Sequence, residues 1–428
     1  MPRIACGLDF GTSNSTAAVI SAGGAELASL EGAHKTLPSS LFFDFSDGAA
    51  KFGRAALSAY VEGHEGRLMR SLKSTLGTAL MEEATRIRAK TYSYKDLIGL
   101  ILGRVKEGAE KAAGGSIDRV VLGRPVRFVD ENDAADRKAQ DALEEVARAQ
   151  GFSEIAFQYE PIAAALAYEQ TVTREEYALI ADIGGGTSDF SIVRVSPDGR
   201  AREDRAADVL ASKGVHVGGT DFDRLFSMKA VMPHLGQGGE MRGDFGRNVL
   251  PIPNAFFVDL ATWHRINLLY TPKVARALAE LQKSALEPER IARLADIVES
   301  RRGHSIALAV EAAKIALSEA DVAAIDLGDV ERGFRVEATA ATLHAAIADR
   351  LGSLTATLEE TLRAAGVGGE RVDVVFLTGG STALPAVRTA VTARTPGARV
   401  VEGDMFGAVG LGLGLDAARK FGAAVPML

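Results

Sequence analysis

The sequence predicts an α/β protein built from two similar lobes, and two observations carry that prediction. Short apolar segments typical of β-strands alternate with amphipathic segments typical of helices along the 428 residues. An apolar strand that ends in aspartate and a glycine-containing turn occurs twice, at Asp9 and, 173 residues later, at Asp182. A repeat at this spacing indicates duplicated lobes, because solenoid repeats recur every ~20–50 residues.

The expected elements follow the chain in order. We predict a first lobe over residues 1–170 and a second lobe over residues 171–428. The predicted strands cover residues 3–9, 15–21, 26–30, 177–183, 189–195 and 372–377. The predicted helices cover residues 133–151, 308–317 and 339–365, and a C-terminal helix closes the second lobe. A less regular stretch, residues 228–303, is predicted to be an elaborated helical subdomain of that lobe.

Composition limits the classes of function. With 47% hydrophobic and 25% charged residues, the chain has the composition of a soluble globular protein. Its net charge of −7 offers no basis for non-specific nucleic-acid binding, and its single cysteine, Cys6, excludes an intrachain disulfide. No apolar run is long enough to span a bilayer, and Asp9 interrupts the apolar N-terminus. We therefore expect a cytoplasmic protein with no nucleic-acid or membrane partner.

Three predicted strands run into turns that combine glycine with threonine or serine. These turns are residues 9–13 (DFGTS), 182–187 (DIGGGT) and 378–381 (TGGS). Glycine lets backbone N–H groups approach a phosphate and form an anion-binding nest. Asp9 and Asp182 supply the oxygen ligands that Mg²⁺ prefers. Neither the P-loop spacing nor the dinucleotide-binding fingerprint occurs at these turns, which disfavours both of those classes.

The same segments resemble motifs of the heat-shock protein 70 chaperone family, within the actin-like ATPase superfamily. The similarity follows the family's order in residues 7–15 (GLDFGTSNS), 160–168 (EPIAAALAY), 182–189 (DIGGGTSD), 218–223 (GGTDFD) and 379–387 (GGSTALPAV). The resemblance implies a two-lobed actin-like ATPase with ribonuclease H-like duplicated lobes that binds ATP, ADP and Mg²⁺. It is nearest to the short branch typified by the bacterial protein YegD, which lacks the peptide-binding domain.

The resemblance also implies a role for individual residues. Those expected to bind the nucleotide are Gly11, Thr12, Ser13, Asn14, Gly184, Gly185, Gly186, Gly218, Gly219, Glu311, Lys314, Ser318, Gly379, Gly380, Ser381 and Asp404. Of these, Glu311, Lys314 and Ser318 are expected on one face of a helix, because their spacing is i, i+3 and i+7.

The remaining roles concern the metal and the reaction. The resemblance implies that Asp9 and Asp182 position Mg²⁺ through water. Lys73 would offset charge on the transferred phosphoryl group, where electrostatics supply most of the catalysis. The water-orienting and γ-phosphate-contacting residues would be Glu160, Asp189 and Thr187.

These expectations together predict a slow, Mg²⁺-dependent ATPase that acts as a nucleotide switch. Its lobes would close around the γ-phosphate, and its chaperone relationship would give it a co-chaperone or a client protein as partner. Two alternatives on the same fold stay open. A small-molecule kinase would consume ATP faster with its substrate than without it, and an actin-like filament or scaffold protein would sediment as a polymer.

Overall fold

The structure, a computed structural model, describes residues 4–21, 24–129, 132–202, 204–243, 248–328, 330–401 and 407–422. Contacts between residues divide the chain into two compact units. Unit 1 comprises Met1–Val215, Ala356–Thr382 and Val391–Leu428, and unit 2 comprises His216–Thr355 and Ala383–Ala390. Both copies of the repeated strand pattern, at Asp9 and at Asp182, belong to unit 1. The predicted lobes, divided at residue 170, are a different division of the chain and stay a prediction.

The elements of the described chain are as follows. The strands are β1 (Ile4–Phe10), β2 (Asn14–Ser21), β3 (Gly24–Leu27), β4 (Thr36–Pro38), β5 (Ser40–Asp44), β6 (Ala50–Phe52), β7 (Gly66–Arg70), β8 (Ala84–Ile87), β9 (Lys90–Ser93), β10 (Ile117–Arg124), β11 (Glu154–Tyr159), β12 (Glu176–Ile183), β13 (Ser188–Val195), β14 (Val209–Val215), β15 (Glu240–Arg242), β16 (Val249–Pro251), β17 (Val322–Asp326), β18 (Arg335–Thr339), β19 (Val374–Thr378) and β20 (Arg399–Val401). The α-helices are α1 (Gly53–Val61), α2 (Tyr94–Ala113), α3 (Asp133–Ala149), α4 (Glu160–Glu169), α5 (Gly219–Ala230), α6 (Ala255–Ala261), α7 (Pro272–Ser284), α8 (Pro288–Glu299), α9 (Gly303–Ala316), α10 (Ala340–Ala365), α11 (Pro385–Thr392) and α12 (Ala408–Phe421).

Two sheets of unit 1 share one strand order. The first runs β11-β10-β1-β2-β3, with β4 beside β2, and the second runs β20-β19-β12-β13-β14. In each, the central strand pairs antiparallel with the next strand along the chain and parallel with a later one. The register matches as well, because Asp9 lies opposite Thr16 and Asp182 lies opposite Asp189. The predicted duplicated α/β fold is therefore confirmed.

Local signals explain where three helices of unit 1 begin. Ser93 and Asp96 form a capping box at the start of α2, in which each side chain accepts a hydrogen bond from the other residue's backbone N–H. The predicted helix at residues 133–151 is confirmed as α3, and the Asn132 side chain caps it. Helix α4 begins at Glu160, followed by proline, and a carboxylate is favoured at this positive end of the helix dipole.

Helix α12 packs against β1 and α4 at backbone distance. A Cβ atom placed on Gly412 would lie 1.8 Å from the carbonyl oxygen of Ala163 in α4. A Cβ atom on Gly7 of β1 would lie 2.2 Å from the backbone nitrogen of Gly414. Only glycine allows such an approach. Helix α12 therefore holds together the strand and the helix that lead to the predicted site.

Unit 2 is largely helical. The stretch over residues 228–303 contains α6, α7 and α8, together with a hairpin of β15 and β16. Its interior includes the buried side chains of Phe257, Leu260, Ile291 and Leu294. The standing of this stretch as a separate subdomain stays a prediction. In the part of the chain that the structure describes, no helix combines the length and apolar character required to span a bilayer.

Two glycine-to-alanine substitutions in helices are expected to change stability in opposite directions. Gly412→Ala forces a methyl group into the Ala163 backbone, so we expect it to lower the free energy of unfolding by about 1–3 kcal/mol or more. Gly352→Ala, in α10, has open space around the new methyl group and should raise that free energy by about 0.5–1 kcal/mol. Urea denaturation of both variants measures the difference. Equal effects would contradict the close packing of α12.

Candidate functional site

The first predicted turn, between β1 and β2, is tightly folded and is held by hydrogen bonds from Ser39. A Cβ atom on Gly11 would lie 2.1 Å from the carbonyl oxygen of Asn14, so the turn requires glycine there. The hydroxyl of Ser39 donates to the Gly11 carbonyl at 2.7 Å, and the Ser39 backbone N–H donates to the Ser13 carbonyl at 2.8 Å. Ser39 is buried. It thus fixes the shape of the turn from within the fold.

The second predicted turn, between β12 and β13, is braced in the same manner. The Gly184 N–H donates to the Thr187 carbonyl at 3.0 Å and closes the turn. The buried hydroxyl of Ser381 donates to the Gly184 carbonyl at 3.1 Å. Gly379, at the start of the third turn, has a φ of +79°, and a Cβ atom there would lie 2.4 Å from the Ile183 carbonyl. The third turn therefore supports the second one, and the hydroxyl of Ser381 is engaged in that support.

The two phosphate-type turns face each other within unit 1. A Cβ atom on Gly185 would lie 2.5 Å from the hydroxyl oxygen of Ser13. Gly186, by contrast, has open space around it. The structure therefore brings together the two predicted turns, one from each copy of the repeat, and leaves part of the second turn open. This arrangement suits a ligand with several phosphate oxygens, because glycine turns from two strands and the Ser13 hydroxyl lie close together.

A short ion pair lies beside these turns. The Lys73 ammonium lies 2.5 Å from a carboxylate oxygen of Glu160, although the two residues are 87 positions apart in the chain. Lys73 belongs to a 3₁₀ helix (Leu72–Thr75), and Glu160 is the first residue of α4. Their side chains are 11% and 17% exposed, so the pair is largely shielded from water. Such a pair is electrostatically stronger than an exposed one.

The ion pair shares its surroundings with the two repeated aspartates. Burial and, after it, the Glu160 carboxylate raise the pKa of Asp9 to about 7, although Lys73 acts in the opposite direction. The same two causes raise the pKa of Asp182 to about 6, again against the effect of Lys73. Burial disfavours the charged form of Lys73, but the carboxylates of Glu160 and Asp9 outweigh it and raise the Lys73 pKa. Three carboxylates thus surround one ammonium group, which favours binding of an additional cation.

The donor set fits Mg²⁺ held largely through water. Within the described ranges, no group of three or more His, Cys, Asp or Glu side chains is arranged to hold a metal directly. Mg²⁺ commonly keeps several waters and binds through one or two carboxylates plus phosphate oxygens. Asp9 and Asp182, whose charges are only partly compensated by Lys73, match that requirement.

The other two residues with predicted catalytic roles lie on or next to β13. Thr187 ends the second turn and is half-buried. Asp189 pairs directly with Asp182 across β12 and β13, so their side chains lie on one face of the sheet. Asp189 is exposed, and one of its carboxylate oxygens lies over Gly214 of β14, 2.6 Å from where a Cβ would be.

The predicted adenosine-side residues of unit 2 form a separate group. The Lys314 ammonium in α9 lies 2.7 Å from a carboxylate oxygen of Asp223 and 3.4 Å from the Gly219 carbonyl, at the start of α5. Lys314 is buried, whereas Glu311 is exposed. Ser318 lies beyond the end of α9 at Ala316. Ser318 follows in a turn, and its backbone N–H donates to the Ile315 carbonyl at 3.0 Å. The expectation that Glu311, Lys314 and Ser318 act on the nucleotide from one helix face stays a prediction.

The remaining predicted nucleotide-binding residues include the N-cap of α5 and residues of the first and third turns. Gly218 caps α5, and its N–H donates to an Asp221 carboxylate oxygen at 3.2 Å. Thr12 and Asn14 are half-buried in the first turn, and Gly380 is exposed in the third. Asp404 lies outside the described residues. Their contacts with a nucleotide stay predictions.

Sequence reasoning missed Ser39 as a residue of the site. Nothing in the pattern distinguishes this serine from Ser40, which follows it. The only available signal is that two serines occur together between the apolar segments of β4 and β5. Its function becomes visible only when hydrogen bonds to a turn 28 residues away are known.

The duplicated sheets and the facing glycine turns define a two-lobed α/β protein of the actin-like ATPase type. A family model described as "Hsp70 protein" matches residues 5–234 and 290–414. The chain therefore belongs to the Hsp70 family. The unmatched residues between these ranges fall inside the stretch predicted as an elaborated subdomain.

Curated relatives support the same assignment. The chain is 34% identical over 222 residues to "Chaperone protein DnaK" of Thermosipho melanesiensis. The matched region covers 51% of this chain and 34% of that protein. It is 32% identical over 243 residues to "Chaperone protein DnaK" of Thermotoga neapolitana, which is 56% of this chain and 37% of that protein. The chain thus covers about a third of the length of these relatives. The assignment to a YegD-like branch stays a prediction.

Removing the carboxylate of Asp182 is expected to alter stability in a pH-dependent manner. Because the folded chain raises the pKa of Asp182 to about 6, wild-type stability falls as the pH rises from about 4 through 6. Asp182→Asn abolishes this loss. We expect the variant to gain about 1–3 kcal/mol in unfolding free energy over wild type above pH 7, and little at pH 4.

Urea denaturation of the nucleotide-free protein between pH 4 and 8 measures this gain. Asp349→Asn, which removes an exposed carboxylate in α10, is the matched control, and the gain of Asp182→Asn is taken relative to it at each pH. A gain for Asp182→Asn that does not change with pH would contradict the charged environment of Asp182.

Proposed function

We propose that this chain binds ATP with Mg²⁺ and hydrolyses it slowly, as a chaperone-related nucleotide switch. The observation that carries the proposal is the ion pair of Lys73 and Glu160 beside Asp9 and Asp182, where the two glycine turns meet. Hydrolysis of a phosphoanhydride requires donors for phosphate oxygens, cations for developing charge and a group that orients water. Unit 1 contains a candidate for each of these components, namely the two glycine turns, Lys73 and Glu160.

The proposed roles follow from the chemistry of each group. Backbone N–H groups of Gly11–Asn14 and of Gly185–Thr187 would bind the β- and γ-phosphates. Asp9 and Asp182 would hold Mg²⁺ through its waters, and the ion would neutralise charge on the phosphates. Lys73 would stabilise charge on the transferred group, while Glu160 would accept a hydrogen bond from the attacking water.

The adenosine end of the nucleotide would be bound by other segments. We assign it to residues of α9, of the start of α5 and of the third turn. They are Gly218, Gly219, Glu311, Lys314, Ser318, Gly379, Gly380, Ser381 and Asp404. The Lys314–Asp223 ion pair supports this assignment, because it fixes the loop at Gly219 to α9.

The output of the reaction would be a change in conformation. ATP offers a γ-phosphate that ADP lacks, so only ATP can engage both glycine turns at that position. A ligand shifts a conformational equilibrium only through such a difference in affinity. We propose that the lobes close around the γ-phosphate and relax after its release.

A chaperone connection is part of the proposal and rests on the family. The relatives are named chaperones, and a co-chaperone or a client protein is the partner that we propose for this chain. The cytoplasmic location predicted from composition belongs to the same proposal.

Calorimetric titration of the protein with ATP and with ADP, followed by an assay of phosphate release, tests the function. We expect binding of both nucleotides that weakens strongly in EDTA, and slow turnover in Mg²⁺. Turnover that begins only when a small-molecule acceptor is added would identify a kinase instead. Sedimentation of the protein on addition of ATP would identify a filament. Absence of binding would reject the proposal altogether.

Thr187→Ala is expected to slow hydrolysis more than it weakens ATP binding. Many backbone donors contribute to binding, whereas one hydroxyl beside the γ-phosphate matters mainly in the transition state. We expect kcat to fall by about tenfold or more, and the Kd for ATP to change by less than about threefold. Single-turnover phosphate release and calorimetry provide the two values.

Thr171→Ala is the matched control. Thr171 also belongs to unit 1, and its exposed hydroxyl donates to the Tyr168 carbonyl on a surface turn. We expect both parameters to stay at the wild-type values. A Thr187→Ala variant that loses ATP affinity while keeping its turnover would contradict the placement at the γ-phosphate.

A further inference from the structure

Arg124, the last residue of β10, has an unusually complete set of partners. Its guanidinium group donates to Gln140 at 2.5 Å and to Asp136 at 2.8 Å, both in α3. It also donates to the carbonyls of Pro125 and Val126, at 3.0 and 3.2 Å. The side chain is 12% exposed. These hydrogen bonds fix the orientation of the guanidinium group, because its N–H donors lie in one rigid plane.

The same guanidinium group lies over two aromatic rings. Its central carbon is 5.2 Å from the ring centroid of Phe128 and 5.3 Å from that of Tyr159, distances typical of cation–π contacts. Arg124 and Tyr159 are also direct partners in the parallel pairing of β10 and β11. We call Arg124, Phe128, Asp136, Gln140 and Tyr159 the Arg124 cluster.

The cluster is one residue away from the ion pair in the chain. Tyr159 is the N-cap of α4, so its backbone sets the direction in which Glu160 leaves the strand. Gly123, the residue before Arg124, is in contact with Glu160, because a Cβ atom on Gly123 would be 3.3 Å from the Glu160 Cγ. Arg124 therefore follows a residue that contacts Glu160 and stacks on Tyr159, the residue before Glu160. Motion of the guanidinium group would therefore displace the backbone that carries Glu160.

Helix α3 also contacts the segment that carries Lys73. Gly77, four residues after Lys73, has a φ of +76°, and a Cβ atom there would lie 3.1 Å from the Ala135 carbonyl and 3.2 Å from the Ala139 Cβ. The first turns of α3 therefore support both partners of the ion pair, Lys73 through Gly77 and Glu160 through Arg124. Because both residues are supported by the same helix, the distance between the Lys73 ammonium and the Glu160 carboxylate is held constant.

We infer that Arg124 is a positioning residue that, stacked on Tyr159 and bound to α3, holds the Glu160 carboxylate against Lys73. The inference rests on the proposed function, because it assigns Glu160 a part in hydrolysis. Lysine cannot replace this arginine. Its ammonium group is not planar, so it cannot stack on the Tyr159 ring and at the same time donate to both α3 and the carbonyls after Arg124. It would nevertheless keep the charge opposite Asp136, so the fold should survive.

Arg124→Lys is therefore the informative substitution. We expect kcat for ATP hydrolysis to fall about tenfold, with the Kd for ATP within about twofold of wild type and the melting temperature within a few degrees. Arg127→Lys is the matched control in the same segment, because Arg127 is 47% exposed and pairs with Asp133. It should retain the wild-type kcat. A wild-type kcat for Arg124→Lys, or a fall that only tracks the fraction of unfolded protein, would overturn the inference.

Variants of the stacked ring separate positioning from general packing. Tyr159→Leu should lower kcat as Arg124→Lys does, and Tyr159→Phe, which keeps the ring, should restore it to within about twofold of wild type. Because both residues act through one contact, the double variant of Arg124→Lys and Tyr159→Leu should be no slower than the slower single one. Multiplicative losses in the double variant would contradict action through the shared contact.

Crystal structures of Arg124→Lys and Tyr159→Leu provide a readout that does not depend on turnover. We expect the separation of the Lys73 ammonium and the Glu160 carboxylate to exceed 4.0 Å, against 2.5 Å in the wild-type structure. If wild-type protein releases no phosphate, the proposed function fails, and this separation alone decides the inference. An unchanged separation in both variants would overturn the positioning role, whatever the activity.

Discussion

The ion pair of Lys73 and Glu160 is the interaction on which the arrangement of the site depends. It joins a 3₁₀ helix to the start of α4 across 87 residues, and its ammonium group lowers the pKa values of the carboxyl groups of Asp9 and Asp182. Without that ammonium group, three carboxylates would share one poorly solvated region, and each would oppose ionisation of the others. The pKa values of both aspartates are nevertheless raised, chiefly by burial and then by Glu160. Any further positive charge placed beside them would favour their ionised forms.

Much of the fold could be predicted from the sequence because its strongest signals are local and repeated. The aspartate-headed turns at Asp9 and Asp182 each follow an apolar strand, and the repeat indicated the duplication that the two sheets display. The helix at residues 133–151 carried a regular apolar spacing and a capping asparagine, so α3 agrees closely with its prediction. These features are encoded within a few turns of chain and need no knowledge of distant contacts.

The parts of the site that could not be predicted depend on contacts between distant residues. Ser39 and Ser381 brace the two turns through hydrogen bonds across 28 and 197 positions, and serines of this kind look like any other in a sequence. The position of Ser318 depends on the fold for a related reason, because a spacing of i, i+3 and i+7 defines one face only while the helix continues. Helix α9 ends at Ala316, and Lys314 turns inward to Asp223. Periodicity describes a face, but the fold decides which residues occupy it.

The contact between α12 and β1 has a consequence for the order in which the protein is assembled on the ribosome. Gly7 is synthesised about 400 residues before Gly414, yet their backbones are in close contact. Translation proceeds at about 5–20 residues per second, so β1 waits for at least about 20 s before its packing partner emerges. Throughout that interval one face of the first sheet exposes apolar surface that α12 later covers. Contacts of such long sequence separation slow folding, and apolar surface that stays exposed in the meantime is prone to aggregation.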